Sequence, residues 1–450
     1  MTYDFDALLD RVEKPARYTC GEMNAEVKPI SQAEISFAFC FPDTYEVAMS
    51  HLGMKILYGI LNELPYAVCE RVCMPWVDML CELRKNNIPL CSLESHTPLS
   101  RFDIIGFTLQ YEMSYTNVLE MMDLGGVPVL SSERGEDDPI VLAGGPCAFN
   151  PEPLHLFIDA FLIGDGEDSI VEVTNVLNAC KKEGVPRAER LKRLASLRGV
   201  YVPGLYHDEY NADGTLKSLE PTDPCAPPRV LRSILTDFEN AYAPTRPPVP
   251  YIQPVFDRIM LEIMRGCTRG CRFCQAGMLY RPVRERSVDK LVELAKESVK
   301  NTGYEEISLS SLSSSDYSCI SELAGRLTDE LRDQRVSLSL PSLRVDKFVQ
   351  DTLTHTQKVK KSSLTFAPEA GSQRMRNVIN KGLTEEVILD GAGKAFEGGW
   401  NKVKLYFMLG LPTETEDDIK GIAHLAEKIA ERYYEIPKDQ RNGKCQITAS

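Results

Sequence analysis

The most constraining feature of this chain is the alternation of short apolar runs with amphipathic stretches, which occurs twice along its 450 residues. Strand-sized runs alternating with helix-sized ones are typical of mostly parallel sheets covered by helices. Residues 220–254 separate the two alternating stretches; they are rich in proline and show no period. Because such a segment is typical of a linker or a wrapping strap, the pattern predicts two α/β domains.

The first alternation predicts a doubly wound, Rossmann-like domain. Its predicted strands are residues 34–41, 89–94, 102–109, 140–144 and 159–164. Its predicted helices are residues 45–64, 74–86, 113–124 and 166–181. Ligands of open α/β sheets bind beyond the carboxyl ends of the strands, where this sequence has glycines at 144–145 and 164–166. These glycines either let a ligand approach the backbone or only form tight turns.

The second alternation predicts a partial (β/α)6 barrel of the TIM type. Its predicted strands are residues 259–264, 305–310, 335–340, 362–366, 402–408 and 445–449. Its predicted helices are residues 287–300, 316–333, 345–353, 384–397 and 415–432. The last strand runs to the chain end, which predicts a barrel truncated at its C-terminus. The predicted organisation is an extension (1–30), a first domain (31–220), a proline-rich linker (221–254) and the incomplete barrel (255–450).

Composition excludes several classes of protein. Hydrophobic residues make up 43% and charged residues 26%, which is typical of a globular chain rather than a disordered one. No apolar run reaches membrane-spanning length, and the acidic, mixed N-terminus is not a signal peptide. The net charge of −14 argues against broad binding to nucleic acids or anionic membranes. Fourteen cysteines without a secretory signal indicate a reducing, cytoplasmic setting in which disulfides are not expected.

Three cysteines form a cluster directly after a predicted barrel strand. Cys267, Cys271 and Cys274 have the spacing Cys-x3-Cys-x2-Cys, and the next cysteine is the distant Cys319. Structural zinc normally takes four ligands, whereas three thiolates leave one position of a metal centre open. An iron–sulfur cluster with one open iron is therefore the favoured interpretation, and zinc or structural thiols are the alternative.

The segment GCTRGCRFC resembles the signature of the radical S-adenosylmethionine (SAM) superfamily, CxxxCxΦC, with Phe273 in the aromatic place. The resemblance implies a [4Fe-4S] cluster on the three cysteines and a unique iron that binds the amino and carboxylate groups of SAM. Reductive cleavage of SAM then yields methionine and a 5′-deoxyadenosyl radical. Further stretches resembling the family lie at 308–317, 365–382 and 407–419. The SAM contacts that this resemblance implies are Phe273, Ser310, Ser311, Glu369, Ser372, Arg374, Gly410 and Pro412.

Each of these stretches also has a purely structural interpretation. Ser315 or Asp316 can cap the N-terminus of the next helix. Glu369 can form a surface pair with an arginine, for which Arg374 and Arg376 are the predicted partners. The acidic run after Gly410 favours the N-terminus of the following helix without any ligand.

Residues 30–450 as a whole resemble radical SAM proteins with an N-terminal cobalamin (B12)-binding-like domain. The matching stretches are FPDTYEVAMSHLGMKILY (41–58), FDIIGFTLQYEMSYTNVL (102–119), LAGGPCAFNPEP (142–153) and IGDGE (163–167). The resemblance implies cobalamin contacts at three strand ends. These are Thr108, Gln110, Tyr111, Gly144, Gly145, Pro146, Gly164, Asp165 and Gly166.

One departure from cobalamin-binding domains concerns histidine. The motif D-x-H-x-x-G, whose histidine ligates cobalt, is absent, because none of the six histidines follows an aspartate by two residues. His51, His96 and His155 are therefore interpreted as ordinary helix or loop residues. Either cobalamin binds without a histidine ligand, or the domain keeps the fold without the cofactor.

The favoured function is that of a cobalamin-dependent radical SAM enzyme that transfers a methyl group to an unactivated carbon. Alternatives are a cobalamin-independent enzyme of the thiomethylation or rearrangement type and a metal-binding regulator without turnover. Cys69 and Cys73 are too few for the second three-cysteine cluster of a sulfur-inserting enzyme. The chemistry implies a flavodoxin- or ferredoxin-type electron donor, and no nucleic-acid module is recognisable. The sequence does not identify the substrate, the residue that acts on it or the oligomeric state.

Overall fold

The computed structural model describes residues 5–341 and 364–450. The chain divides into two compact units, residues 1–257 and 258–450. Both units are built from parallel strands and helices, which confirms the predicted α/β class. The predicted helix over 345–353 lies outside the described residues, as do the first two residues of the strand predicted at 362–366.

The first unit is organised around a six-stranded sheet with the order β2-β1-β3-β4-β5-β6. All neighbours pair in parallel except β5 and β6, which are antiparallel. The strands are β1 (Ile35–Phe41), β2 (Ala67–Cys73), β3 (Ile104–Thr108), β4 (Ile140–Gly144), β5 (Ala160–Leu162) and β6 (Val200–Tyr201). The helices are α1 (Asp6–Leu9), α2 (Tyr45–Ala48), α3 (Leu52–Glu63), α4 (Val77–Asn86), α5 (Tyr115–Leu124), α6 (Glu167–Glu183) and α7 (Arg187–Ala195).

Helices cover both faces of this sheet, so the central strands are apolar throughout. In β1, Phe37 and Phe39 pack on the face that also holds α3 and α6. Ala38 and Cys40 point to the opposite face, where α4 and α5 pack. This alternation follows from the two-residue period of a strand.

One strand of this sheet was assigned to the wrong residues. The predicted strand at 89–94 is a loop, and the edge of the sheet is β2 instead. Leu93 donates its amide to the Arg71 carbonyl, so the loop lies along β2 without continuing the sheet. The pattern of β2 is interrupted by Glu70 and Arg71, both almost fully buried, which hid the strand from a hydrophobicity argument. Cys69 and Cys73 are accordingly buried inside a strand.

The long helix predicted over 45–64 is broken into α2 and α3. His51 lies at the break in an extended conformation, and its ring Nδ1 accepts the Met54 amide at 3.2 Å. Its side chain therefore caps α3. The apolar pattern continues through His51 although this residue is not helical, so the sequence predicted one helix where the structure has two.

The proline-rich segment packs onto the first unit. It follows a hairpin of β7 (Tyr206–Tyr210) and β8 (Leu216–Pro221). Leu235 and Phe238 are buried, and Ser233 forms a parallel bridge with Gly164. These contacts make the segment a strap on this unit.

The second unit contains two three-stranded parallel sheets with the orders β13-β12-β9 and β14-β15-β16. A short antiparallel ribbon, β10-β11, accompanies them. The strands are β9 (Ile259–Glu262), β10 (Met264–Arg265), β11 (Arg284–Glu285), β12 (Glu306–Ser310), β13 (Ser337–Ser339), β14 (Leu364–Glu369), β15 (Lys402–Phe407) and β16 (Gln446–Ala449). The helices are α8 (Ala276–Leu279), α9 (Val288–Thr302), α10 (Ile320–Glu330), α11 (Gln373–Val378), α12 (Glu385–Glu397) and α13 (Glu416–Tyr434). Among the described residues, no helix has the length and hydropathy that crossing a membrane requires.

Candidate active site

The cysteine loop begins where β10 ends. Gly266 has a φ of +93°, and a side chain there would approach the carbonyl oxygens of Tyr280 and Pro282 to 2.7 Å. Only glycine fits this conformation, so the loop can turn sharply away from the ribbon. Its three cysteines, Cys267, Cys271 and Cys274, are partly exposed and form no disulfide. The Cys274 amide donates to the Cys271 carbonyl at 3.1 Å, which closes a tight turn around Phe273.

The cysteine loop is held by the last residue of α11 and the turn after it, residues 378–382, which we call the anchoring turn. The Arg272 amide donates to the Ile379 carbonyl at 2.9 Å, and the Arg272 guanidinium donates to the Val378 carbonyl at 2.6 Å. The side-chain nitrogen Nδ2 of Asn380 donates to the Gly270 carbonyl at 2.9 Å. Two hydrogen bonds to its backbone and one from the Arg272 side chain therefore fix the loop between the outer cysteines.

A second support comes from the segment after β12. Arg269 forms a two-pronged ion pair with Asp316, with its Nε 2.8 Å from Oδ2. Asp316 therefore braces the cysteine loop and does not cap a helix, and Ser315 does not cap one either. Helix α10 begins at Ile320, with Cys319 at its N-cap position. The predicted cap is wrong because the 3-10 turn at 314–316 ends before the helix starts.

The predicted SAM residues of the second unit lie at or just after strand ends. Ser310 is the last residue of β12, and the Ser311 hydroxyl lies 3.0 Å from that of Ser314. Glu369 is the last residue of β14, and Gly410 follows β15 with a φ of +81°. The Gly410 amide donates to Glu414 Oε2 at 2.8 Å. Pro412 is exposed beside it.

Glu369 pairs with a lysine rather than with the predicted arginines. Its Oε1 lies 3.0 Å from Nζ of Lys381 in the anchoring turn, and both side chains are largely buried. Lys381 Nζ also lies 5.7 Å from the centre of the Phe273 ring. Glu369 adopts a positive φ of +68°, which is uncommon outside glycine and often occurs at functional sites.

The two arginines have other partners. Arg376 is fully buried and donates to the carbonyls of Ala370 and Gly371 at 3.0 Å. Arg374 pairs with Asp418, which is the third residue of α13. The expectation of an arginine beside Glu369 is wrong because both guanidiniums point toward backbone carbonyls or α13. Lys381 was not predicted as the partner of Glu369 because the two residues are separated in sequence, although both fall within the 365–382 stretch.

Asp418 joins the segment after β14 to the segment after β15. Its carboxylate accepts from Arg374, from the Ser372 hydroxyl and from the Thr415 amide and hydroxyl, the last two at 2.9 and 2.7 Å. The Arg374 hydrogen bond, followed by those of Ser372 and Thr415, holds the pKa of Asp418 well below its usual range. The predicted capping of this helix by the acidic run is confirmed. Ser372 also caps α11 through the Met375 amide.

In the first unit, hydrogen bonds order the residues at the end of β3 and join them to the end of β1. Gln110 donates to the Thr108 hydroxyl at 2.6 Å. Burial lowers the pKa of His51 to about 4, so the ring is neutral at pH 7. Because Nδ1 accepts the Met54 amide, the proton lies on Nε2. The Tyr111 hydroxyl donates to Asp43 Oδ2 at 3.3 Å.

The other two predicted histidines have ordinary loop contacts. The His96 ring lies 4.5 Å from the Phe5 ring, and His155 Nδ1 lies 2.6 Å from the Glu152 carbonyl.

The glycine-rich ends of β4 and β5 are closely packed by backbone. Gly145 has a φ of +99°, and a side chain there would lie 2.7 Å from the Leu109 carbonyl oxygen. Gly144 precedes it in β4, and Pro146 starts a 3-10 turn. At Gly164, with a φ of +116°, a side chain would lie 2.1 Å from the Ser233 carbonyl oxygen.

The residues after Gly164 complete this contact. The Asp165 amide donates to the Ser233 carbonyl at 3.0 Å, and its carboxylate accepts the Leu235 amide at 2.9 Å. Gly166 is the N-cap of α6. Gly164 and Asp165 are therefore used to hold the strap, whereas Thr108, Gln110 and Tyr111 border the open end of β3.

Lys55 is a candidate functional residue that the sequence analysis did not identify. It lies one helical turn after His51 and is buried. Burial lowers its pKa to about 8, against the opposing charge of Asp257. The available signal was its spacing of four residues from His51, the N-cap of α3.

Large apolar side chains are exposed along the same edge of the sheet. Trp76 and Val77 follow β2 and are 46% and 64% exposed. Tyr111 and Met113 follow β3 and are 46% and 82% exposed. Exposed apolar groups at a ligand-binding edge are typical of a docking surface for a large apolar group.

The described residues contain no group of three His, Cys, Asp or Glu side chains arranged around a single metal ion. A [4Fe-4S] cluster is larger, and each thiolate binds a different iron, so its ligands need not converge on one point. The partly exposed thiols on a braced loop fit such a cluster.

Comparison with known families resolves the assignment of these motifs. The family model described as "Radical SAM superfamily" matches residues 261–426, which include the cysteine loop and the anchoring turn. The chain belongs to the radical SAM superfamily. A second model, "Radical SAM proteins, N-terminal", matches residues 53–203 of this radical SAM enzyme.

Two proteins of Methanocaldococcus jannaschii are similar in sequence. An uncharacterized protein is 32% identical over 395 residues, covering 87% of this chain and 73% of the relative. Another, provisionally named a methylthiotransferase, is 29% identical over 167 residues, covering 36% of this chain and 37% of the relative.

Two solved structures share the fold. OxsB, named a cobalamin-dependent S-adenosylmethionine radical enzyme, superposes with a TM-score of 0.59 at 14% identity over 87% of this chain. The chain spans 52% of the length of OxsB. TsrM of Kitasatospora setae, named a radical S-adenosylmethionine methyltransferase, superposes with a TM-score of 0.56 at 12% identity. The match covers 88% of this chain and 70% of TsrM.

Proposed function

We propose that this radical SAM enzyme holds a [4Fe-4S] cluster on Cys267, Cys271 and Cys274 and cleaves SAM reductively. The observation that carries the proposal is the loop geometry: three partly exposed thiols lie on one short loop, braced by Asp316 and by the anchoring turn. When bound, the cluster supplies an electron and an open iron that orients SAM. A flavodoxin- or ferredoxin-type protein is the proposed source of that electron.

The protein's own part is to bind and orient SAM. Glu369, at the end of β14, is proposed to accept hydrogen bonds from the ligand, and Phe273 to contact it. The Gly410–Pro412 backbone has no side-chain bulk at Gly410 and is proposed to flank the adenine. Ser310 and Ser311 lie at the end of β12, where they offer hydroxyls, and Ser372 and Arg374 follow β14.

We further propose that the first unit binds cobalamin and that the reaction is methyl transfer to an unactivated carbon. Support comes from the names of OxsB and TsrM and from the exposed apolar side chains after β2 and β3. When bound, cobalamin supplies a methyl carrier. His51 is not the proposed cobalt ligand, because its Nδ1 accepts the Met54 amide as the cap of α3 and its Nε2 carries the ring proton.

The first experiment is anaerobic reconstitution of the full chain with iron and sulfide, followed by incubation with SAM and dithionite. The test variant is C267A/C271A/C274A, and the control is C319A/C445A, which removes two other partly exposed cysteines of the same unit. We expect iron–sulfur absorption and 5′-deoxyadenosine from the native chain and the control, and neither from the test variant. Formation of 5′-deoxyadenosine by the test variant would refute the cluster assignment.

Cobalamin is tested by adding hydroxocobalamin during reconstitution and then desalting. Corrin bands near one cobalamin per chain would support the methyl-transfer proposal. Iron–sulfur bands without corrin bands would refute it and favour the second candidate function, a cobalamin-independent thiomethylation. That candidate is favoured by the similarity to the protein named a methylthiotransferase.

A further inference from the structure

Lys381 occupies a position between two functional elements of the second unit. Its ammonium lies 5.7 Å from the Phe273 ring centre, and Phe273 stands between Cys271 and Cys274 in the cysteine loop. The same ammonium lies 3.0 Å from Glu369. Its side chain is 12% exposed, so water screens its charge less than at the surface.

The backbone around Lys381 is fixed to the cysteine loop. The preceding residue, Asn380, donates to the Gly270 carbonyl, and Ile379 accepts the Arg272 amide. The Lys381 amide itself donates to the Arg376 carbonyl at 2.9 Å. The ammonium is therefore held against the Phe273 ring of the cysteine loop by a fixed turn and a cation–π contact, and its place does not depend on a flexible side chain alone.

We propose that Lys381 is a positioning residue that sets the reduction potential of the cluster. The inference rests on the proposed function, since it requires a cluster on Cys267, Cys271 and Cys274. Reduction adds one electron to an already anionic, thiolate-ligated centre. A nearby positive charge stabilises the reduced form and raises the potential, because net charge and solvent exposure tune such clusters.

Glu369 opposes the effect of Lys381 on the reduction potential of the cluster. Its carboxylate pairs with Lys381 and cancels part of the field that the ammonium exerts on the cysteine loop. Removing the carboxylate charge is therefore expected to raise the potential, and removing the ammonium to lower it. The two opposite signs separate an electrostatic role from a general loosening of the loop.

The experiment uses the anaerobically reconstituted full chain with dithionite as the one-electron reductant. The fraction of reduced cluster is followed by electron paramagnetic resonance at controlled potentials. Variants are Lys381→Met, Lys381→Arg and Glu369→Gln. The control is Lys394→Met, which removes a lysine of another carboxylate pair, with Asp390 on α12.

We expect Lys381→Met to lower the equilibrium constant for reduction about tenfold, which is 59 mV for one electron. Lys381→Arg and Lys394→Met should stay near the native value, and Glu369→Gln should shift upward. An unchanged potential in Lys381→Met would overturn the inference. If Lys381→Met does not retain a cluster, a Glu369→Gln potential at or below the native value would overturn it instead. Absence of any iron–sulfur cluster in the native chain would instead refute the proposed function.

Discussion

Replacing Arg71 by methionine is expected to destabilise the first unit by about 3–5 kcal/mol at pH 7. Arg71 lies in the edge strand β2 and is buried with two carboxylates whose side chains are fully buried. It donates to Glu94 at 2.6 Å and to both oxygens of Glu22 at 3.0 and 2.9 Å. Three such bonds to charged groups at about 1.5–3 kcal/mol each set an upper limit. The loss is smaller because the two orphaned carboxyls can take up protons.

The pH dependence of this loss follows from the two carboxyls. In the native chain burial raises the pKa of Glu22, but the charge and hydrogen bonds of Arg71 outweigh burial and place it below the ordinary value. The native chain therefore loses the Glu22 contribution only as the pH falls below about 4.5. Burial already raises the pKa of Glu94 in the native chain against the charge of Arg71. Loss of Arg71 is expected to raise the pKa of both carboxyls, so the folded variant binds protons more tightly than the unfolded variant. Its stability rises as the pH falls, and the difference from the native chain narrows between pH 7 and pH 5.

The assay is urea unfolding of the full chain followed by tryptophan fluorescence. Trp76 and Trp400 are the two tryptophans, so a Trp400→Phe background reports on the first unit alone. Arg84→Met is the matched control, since Arg84 also pairs with two carboxylates, Glu120 and Asp123, but is 47% exposed. It should cost at most about 1 kcal/mol. A loss below about 1 kcal/mol for Arg71→Met, or an equal loss at pH 5 and pH 7, would refute the reasoning.

Three further results are expected. Gly164→Ala should lower the free energy of unfolding by about 3 kcal/mol or more, because the new side chain would meet the Ser233 backbone. Gly184→Ala, at a φ of +67° in open space, should lower it by about 1 kcal/mol. Equal urea midpoints for the two variants would contradict this expectation. His51 has a folded pKa of about 4, below its unfolded value of about 6.5, so stability should fall as the pH drops from 6.5 to 4, and His51→Gln should flatten that slope in unfolding curves. Asp316→Asn should weaken the brace on Arg269 and speed the loss of iron–sulfur absorption under a chelator several-fold, and an unchanged half-life would exclude a bracing role.

The sequence by itself determined the features that depend on local patterns. Apolar runs of strand length predicted β1, β3, β4 and β5, because a parallel strand covered on both faces must be apolar throughout. The three-cysteine spacing predicted where a cluster would bind, since all three thiols belong to one short loop. Neither inference needed a contact between distant residues.

Only the tertiary structure decided which charged groups can be buried and which side chains meet. The strand β2 carries Glu70 and Arg71 in its middle, and Arg71 is tolerated there because Glu22 and Glu94 arrive from distant parts of the chain. Lys381 replaced the expected arginines beside Glu369 for a similar reason. The direction of the Lys381 side chain depends on hydrogen bonds between its turn and the cysteine loop. One of them runs from the Asn380 side chain to the Gly270 carbonyl, 110 residues away in sequence. Such long-range pairings leave no period in the sequence, because their energy comes from neighbours that only the folded chain brings together.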